Sequence, residues 1–342
     1  MGQQTIALLH GRVDADALED EKDVLIQVRT VRDALESLGY EAEEVELTLD
    51  LATAAGKLRS MEPILAFNLA ETIDGKGSLI HLAPSLLESL EIPYTGASAE
   101  AIFLTSHKLL AKRILAAGGI DTPAWTTAPE ALSSAPSFPP PFIVKSVWEH
   151  ASIGMEDSAV AFSRDELLAE IRRRSDRESV AYLFVESYVP GREFNLALLG
   201  GQNGATLPQN LPPAEIRFVD YPPGKPRFVG YRAKWDERSF EYEKTPRCFD
   251  FAPADSDLIS TLKQLSRSCW ELFGLRGYAR VDFRVDENGR PWVLEVNTNP
   301  CLSPDAGFMA AAARAGLTGN DVVQRIMADV AMKKEPLTWA PR

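Results

Sequence analysis

Cysteine is scarce. The 342-residue chain has three, Cys248, Cys269 and Cys301, an odd number at wide spacing. That pattern suits neither a disulfide framework nor a zinc cluster; it suits reduced thiols in a cytoplasmic protein. The start, Met1-Gly2-Gln3-Gln4-Thr5-Ile6, has no basic stretch followed by an apolar one, so no secretory signal is expected. Ile6 stands where N-myristoylation wants Ser or Thr. No apolar run approaches the roughly 18 residues that cross a bilayer. Positive charge is also in deficit. Lys and Arg total 36 against 49 Asp and Glu, a net charge of −13, which argues against nucleic acid or an anionic membrane as partner. The four histidines have no metal-ligand spacing, and neither Gly-x-Ser-x-Gly nor a Walker A lysine pattern occurs. No internal repeat is evident.

What remains is ordinary globular material, 45% apolar and 25% charged, with length for two or three domains. Over residues 1–104 strand and helix patterns alternate, as in a parallel α/β unit. Thr5–His10, Glu41–Leu47 and Pro63–Leu69 read as strands. Val24, Val28, Val31, Leu35 and Leu38 mark a helix that Gly39 stops, and 79–90 reads as helical. Further on, 105–117 is predicted helical, with Lys108 and Lys112 on one face. Strands follow at 142–147, 159–162, 182–188 and 193–199, and helices at 165–174, 255–273, 307–316 and 320–332. The proline-rich segment 207–227 lacks periodicity and is predicted to be a long loop of the lid type.

The chemistry concentrates at 277–300, GYARVDFRVDENGRPWVLEVNTNP. Asn288-Gly289 is a strong hairpin signal. With those two residues as the turn, Asp282 faces Glu295 and Arg280 faces Asn297. Alternation then puts Val281, Phe283 and Val285 on a core face with Trp292, Leu294 and Val296, and the four polar residues on the other. Carboxylates directly opposed across a hairpin have Cβ atoms about 5 Å apart and repel by about 3 kcal/mol at an effective dielectric near 20. A divalent cation would offset this, and two carboxylates with an amide oxygen form a hard donor set suited to Mg²⁺. The plainer alternative is a solvated face on which Arg280 pairs with Asp282. Lys145, mid-strand in FIVKSV, needs an anionic partner unless it reaches out to solvent.

These segments resemble the ATP-grasp superfamily, and within it the D-alanine–D-alanine ligase family. The motifs in order are IPYTG (92–96), HKLLAK (107–112), PFIVKSVWEHASIGM (141–155), FVESYVPGREFNLALL (184–199), YRAKW (231–235), RVDF (280–283) and LEVNTNPCLS (294–303). The resemblance implies an α/β fold in three domains, a parallel α/β domain at 1–104 and two α+β domains at 105–190 and 191–335 that clamp ATP. It implies a ligase that joins a carboxylate to an amine through an acyl phosphate, with ATP and Mg²⁺ (or Mn²⁺) as cofactors. The substrates would be small and amino-acid-like, and a homodimer is an expected assembly. Carried over residue by residue, Lys108 and Lys145 would hold phosphates. Glu186, Ser187 and Val189 would meet adenine, Glu193 the ribose, and Phe228 would pack on the base or simply fill core. Ser152 in the loop 149–155 and Lys234 would act at the transferred phosphate, and Arg280 at the oxyanion. Asp282, Glu295 and Asn297 would hold the metal. Glu21 is the loose match to the acid that binds the first substrate's ammonium.

The substrate side departs from the family. Asn68–Gly75 lacks the family histidine, Ala151 and Trp235 replace a serine and a tyrosine, Cys301 follows Pro300 in place of glycine, and the second-substrate serine falls near Ala306. Ligation of other amino acids or peptides is therefore the alternative to D-alanine. A non-catalytic ATP-binding module is the rival from another class, and Arg280 speaks against it.

Overall fold

The computed structural model describes residues 4–14, 17, 19–148, 152, 154–201 and 207–331, with 19–21 and 331 described by their backbone alone. The first sheet is parallel, built of β1 (Thr5–Gly11), β2 (Glu41–Leu47) and β3 (Leu65–Asn68) in the order β2-β1-β3. Its central strand is buried on both faces. Ile6 and Leu8 pack against Val28, Val31 and Leu35 of α1 (Glu19–Ser37). Ala7 and Leu9 turn the other way, toward Ala54 and Leu58 of α2 (Leu51–Met61). This two-sided burial explains why TIALLH carries an unbroken apolar run. The sequence patterns had not marked α2, whose N-terminus is capped by the Asp50 side chain accepting from Thr53 N–H. The segment 79–90 divides into a 3₁₀ turn, Gly77–Leu79, and α3 (Leu82–Ser89).

The predicted 105–117 helix is two helices. α4 (Ala99–Ser106) stops and α5 (Lys108–Ala117) starts at His107, whose extended backbone (φ −82°, ψ 93°) breaks the run while its ring accepts from Leu110 N–H at 3.2 Å. The second sheet is antiparallel. It comprises β4 (Trp125–Thr127), β5 (Phe142–Ser146), β6 (Val160–Ala161) and β7 (Leu183–Ser187) in the order β4-β7-β5-β6. α6 (Ala128–Ser133) and α7 (Arg164–Ser175) cover it through Ala131, Leu167 and Ile171.

The third sheet holds β8 (Arg192–Leu199), β9 (Gln209–Asn210), β10 (Ala214–Ile216), β11 (Arg247–Cys248), β12 (Tyr278–Val285) and β13 (Pro291–Thr298). Its order is β11-β10-β8-β12-β13, with β9 also on β8. Segment 207–227 is thus corrected. β9 and β10 pair with β8 inside what reads as a loop, because strands of two and three residues are too short to show alternation. α8 (Tyr231–Trp235) and α9 (Phe240–Glu243) follow. α10 (Ser256–Leu272) packs Leu262, Cys269 and Trp270 on one face of the sheet. On the other face, Leu199 and Tyr278 share a core with α11 (Gly307–Arg314), α12 (Gly319–Ala331) and α1. The N-terminal unit is therefore fastened to the hairpin sheet. Among the described residues no helix is long and apolar enough to cross a membrane.

Candidate active site

The β12–β13 hairpin pairs Asp282 with Glu295 and Arg280 with Asn297, as the sequence predicts. The route to that register is different. The turn is not a two-residue one. Asp286 N–H donates to Arg290 O at 3.0 Å and Gly289 N–H to Asp286 O at 2.9 Å, and in this turn only Gly289 has positive φ, +80°. That three-residue connection moves the register by one, pairing Phe283 with Val293 and Arg284 with Trp292. A β-bulge beside Asp282 then restores it. One consequence corrects the predicted core face. Val293 joins Val281, Phe283, Val285 and Val296 in the core, while Leu294 lines the cleft and Trp292 donates its indole N–H to Asp286 at 3.0 Å.

On the polar face Arg280 grips Asp282 with two hydrogen bonds, Nε to Oδ1 at 2.7 Å and Nη2 to Oδ2 at 2.8 Å. Asn195 of β8 donates to Oδ1 at 2.7 Å. Asn297 Nδ2 bridges the acids, 3.0 Å from Asp282 Oδ2 and 3.4 Å from Glu295 Oε1. Lys108 Nζ lies 3.8 Å from Glu295 Oε2. Burial raises the Asp282 pKa although Arg280 opposes it. Burial works against the Arg280 charge too, but Asp282 outweighs it and the guanidinium titrates above its ordinary range. The like-charge repulsion is thus offset here by Arg280. The donor set also fits a hard divalent cation: two carboxylates from opposed positions and one amide, with no nitrogen or sulfur ligand required. Among the described residues no group of three or more His, Cys, Asp or Glu gathers as a metal cage.

The two sheets face each other across a cleft of about 550 Å³. Lys145 does have its anionic partner. Its Nζ lies 2.5 Å from Glu186 Oε2, and Lys112 pairs with the other oxygen. Burial pushes the Glu186 pKa up, and the two ammonium groups more than reverse it, holding the carboxyl below the usual carboxylate range. The Glu186 carboxylate is therefore committed to these two lysines. Glu193 is raised by burial, against Arg284, whose Nη1 sits 3.1 Å away and whose Nε donates to Val189 O at 2.9 Å.

Two segments meet at the end of the cleft near Ser152. Ser152 (φ +63°) donates its hydroxyl to Val229 O at 2.8 Å, and Tyr231 N–H donates to Met155 O at 3.1 Å. The 149–155 loop, where described, is thereby tied to the segment that leads into α8. Phe228 packs with Ile143 and Val160. Lys234 is drawn below the usual lysine range by burial and by nearby Arg280, against the acids Glu295, Asp282 and Glu193.

The cleft gathers Lys108, Lys145, Ser152, Glu186, Ser187, Val189, Glu193, Phe228, Lys234, Arg280, Asp282, Glu295 and Asn297. Glu21 lies in α1 with its side chain outside the described residues, as do His150 and Ala151 entirely. Lys112, Arg284 and Asn195 were given no site role from sequence. The signal for Lys112 was present, since it shares a helix face with Lys108. At the far end, Cys301 Sγ and Ser303 Oγ lie 2.9 and 2.7 Å from the Asp23 carboxylate oxygens, and Gln27 donates to Glu71 at 2.8 Å.

Two sheets gripping a cleft, one of them carrying a polar hairpin face, define the ATP-grasp fold of carbon–nitrogen ligases. A crystal structure of D-alanine–D-alanine ligase from Bacillus anthracis complexed with ATP superposes with a TM-score of 0.73 over 97% of this chain and 98% of that one, at 22% identity. The family model described as D-ala D-ala ligase C-terminus matches residues 121–328. The D-alanine–D-alanine ligase of Carboxydothermus hydrogenoformans is 30% identical over 321 residues, 91% of this chain and 94% of that protein. A protein of Sinorhizobium fredii named "Uncharacterized protein y4sG" is 28% identical over 306 residues, 88% of this chain and 86% of its own. The chain belongs to the D-alanine–D-alanine ligase family and is an enzyme of the carbon–nitrogen ligase class.

Proposed function

We propose that the chain uses ATP to activate the carboxylate of one amino-acid-like substrate as an acyl phosphate, which the amine of a second attacks to give an amide, ADP and phosphate. The observation that carries this is the hairpin face, where Arg280, Asp282, Glu295 and Asn297 converge on the cleft that Lys145 and Lys234 also line. Asp282, Glu295 and Asn297 would hold a divalent cation, Mg²⁺ or Mn²⁺, which neutralises phosphate charge and orients its oxygens. Lys108 and Lys145 bind phosphates, with Lys145 exchanging part of its pairing to Glu186 for them. Ser187, Val189 and the Glu186 backbone border the adenine, Phe228 packs on it, and Glu193 accepts from the ribose. Ser152 turns its hydroxyl from Val229 to the transferred phosphate, and Lys234 receives that phosphate's charge. Arg280 stabilises the oxyanion formed as the amine attacks. The segment 217–235, which follows β10, acts as a lid that keeps water from the acyl phosphate. On the same proposal, domain boundaries fall near residues 104 and 190, and Glu21 faces the first substrate's ammonium.

A substrate other than D-alanine is favoured by one observation. Where the family histidine segment would stand, Glu71 lines the cleft, bonded to Gln27, and the thiol of Cys301 sits on Asp23. The deciding experiment is ADP release with ATP, Mg²⁺ and a panel of D- and L-amino acids, with product masses read by mass spectrometry. The expected result is ADP formation only with certain amino acids, matched by an amide of their summed mass less water. ADP release that no amino acid or small amine stimulates would refute the proposal.

A further inference from the structure

Arg247 has no part in the roles above, yet its side chain lines the same cleft. It sits on the edge strand β11, paired to Ile216 of β10. Its Nη1 donates to Asp305 O at 2.9 Å. Its Nε faces the first residue of α11, Gly307, where a Cβ would come to 3.5 Å. Its charged neighbours are Arg280, which acts against its charge, and Asp305, which favours it through space. Although Arg247 is solvent-exposed as a whole, desolvation at the cleft wall and Arg280 together lower its pKa. Among the described residues no carboxylate forms an ion pair with it. The comparison with Arg280 is instructive. Arg280 spends its charge on Asp282 through two bonds, whereas the fork of Arg247 has given one N–H to a backbone carbonyl. A guanidinium so placed, beside a second one, is stabilised by an incoming carboxylate, which its planar donors match in pairs.

We propose that Arg247 determines acceptor specificity by receiving the carboxylate of the amine-bearing substrate, so that the acceptor is a free amino acid and not an amide, ester or simple amine. This rests on the ligase function proposed above. Ala306, beside it, has no hydroxyl to do the same work.

The test uses the full chain with Mg-ADP. Binding of free amino acids of both hands, and of their carboxamides, is measured by calorimetry for the parent, Arg247→Met and Arg247→Lys. At least one free amino acid should bind the parent about tenfold or more tighter than its carboxamide. Arg247→Met should erase that preference, and Arg247→Lys should keep part of it. In turnover, Arg247→Met should raise KM for the acceptor about tenfold with kcat and KM for ATP little changed, as expected for a group that binds without reacting. A parent that binds no panel member, or that binds acid and amide alike, would overturn the proposal, as would a preference that survives in Arg247→Met. Arg247-dependent binding without amino-acid-stimulated ADP release would refute the ligase function and leave the carboxylate site standing.

Discussion

Replacing Lys112 by Met should weaken the fold by about 3 kcal/mol, at the low end of the 3–5 kcal/mol typical of stripping one partner from a buried ion pair. The basis is the arrangement around Glu186. Its side chain and that of Lys112 are each 1% exposed, and the Lys112 ammonium also donates to Thr122 Oγ1 at 2.7 Å. At an effective dielectric near 20, a pair about 3 Å apart attracts by about 5 kcal/mol. Part of that is returned when an ammonium no longer needs burying. Lys145 remains on the other oxygen, which places the loss toward the low end. Methionine keeps most of the side-chain volume, so little of the loss comes from a cavity. Urea unfolding followed by circular dichroism measures it. The double variant Lys112→Met with Glu186→Gln should recover about 2 kcal/mol relative to the sum of the single losses, since no buried carboxylate is then left short of a cation. A coupling within about 0.5 kcal/mol of zero, the ordinary scatter of independent sites, would refute this account of the Glu186 ion pairs.

Acid stability should report the same group. Glu186 titrates below its unfolded value, so its contribution is present above about pH 4.3 and is lost as pH falls through the lower folded pKa. Glu186→Gln should therefore flatten the fall in unfolding free energy below about pH 4.3, and an unchanged slope would count against the assignment. Gly277→Ala should cost about 2–4 kcal/mol, because Gly277 has φ +73° and a Cβ there would stand 2.8 Å from the Gly96 Cα. A thermal midpoint equal to the parent's would show that the two backbones do not meet so closely. Arg280→Ala should lower the rate of ADP release about 10²–10³-fold while ATP affinity, read by calorimetry, stays near the parent's. Turnover that survives would remove Arg280 from the chemistry.

The first sheet was legible because β1 and β3 are short apolar runs and one clearly patterned helix, α1, separates β1 from β2. What sequence missed was set by distant partners. β10 exists because β8 and β11 flank it, and no local alternation in Ala214–Ile216 could announce that. α2 escaped because LATAAGKLRSM is weakly patterned, and its cap, Asp50, lies just outside it. His107 divides α4 from α5 for a tertiary reason, since Lys108 N–H must reach Val147 O at 3.1 Å.

The hairpin shows most plainly where local reasoning holds and where it stops. Asn288-Gly289 located the reversal correctly, but a two-residue turn would have needed positive φ at Asn288, and only Gly289 adopts it. The resulting slip would have set Asp282 opposite Leu294 and sent the acid on β13 to the wrong pleat. The bulge beside Asp282 absorbs that slip, and it falls between the core valines and the polar face, one residue from each acid. The extra residue is Leu294. It costs the sheet one core contact, which Val293 supplies instead, and it gives the cleft an apolar wall next to Glu295. A bulge at this position is thus what reconciles a three-residue turn with the pairing of Asp282 and Glu295, and deleting Leu294 should keep that pairing in a regular ladder while removing the apolar wall beside Glu295 from the cleft.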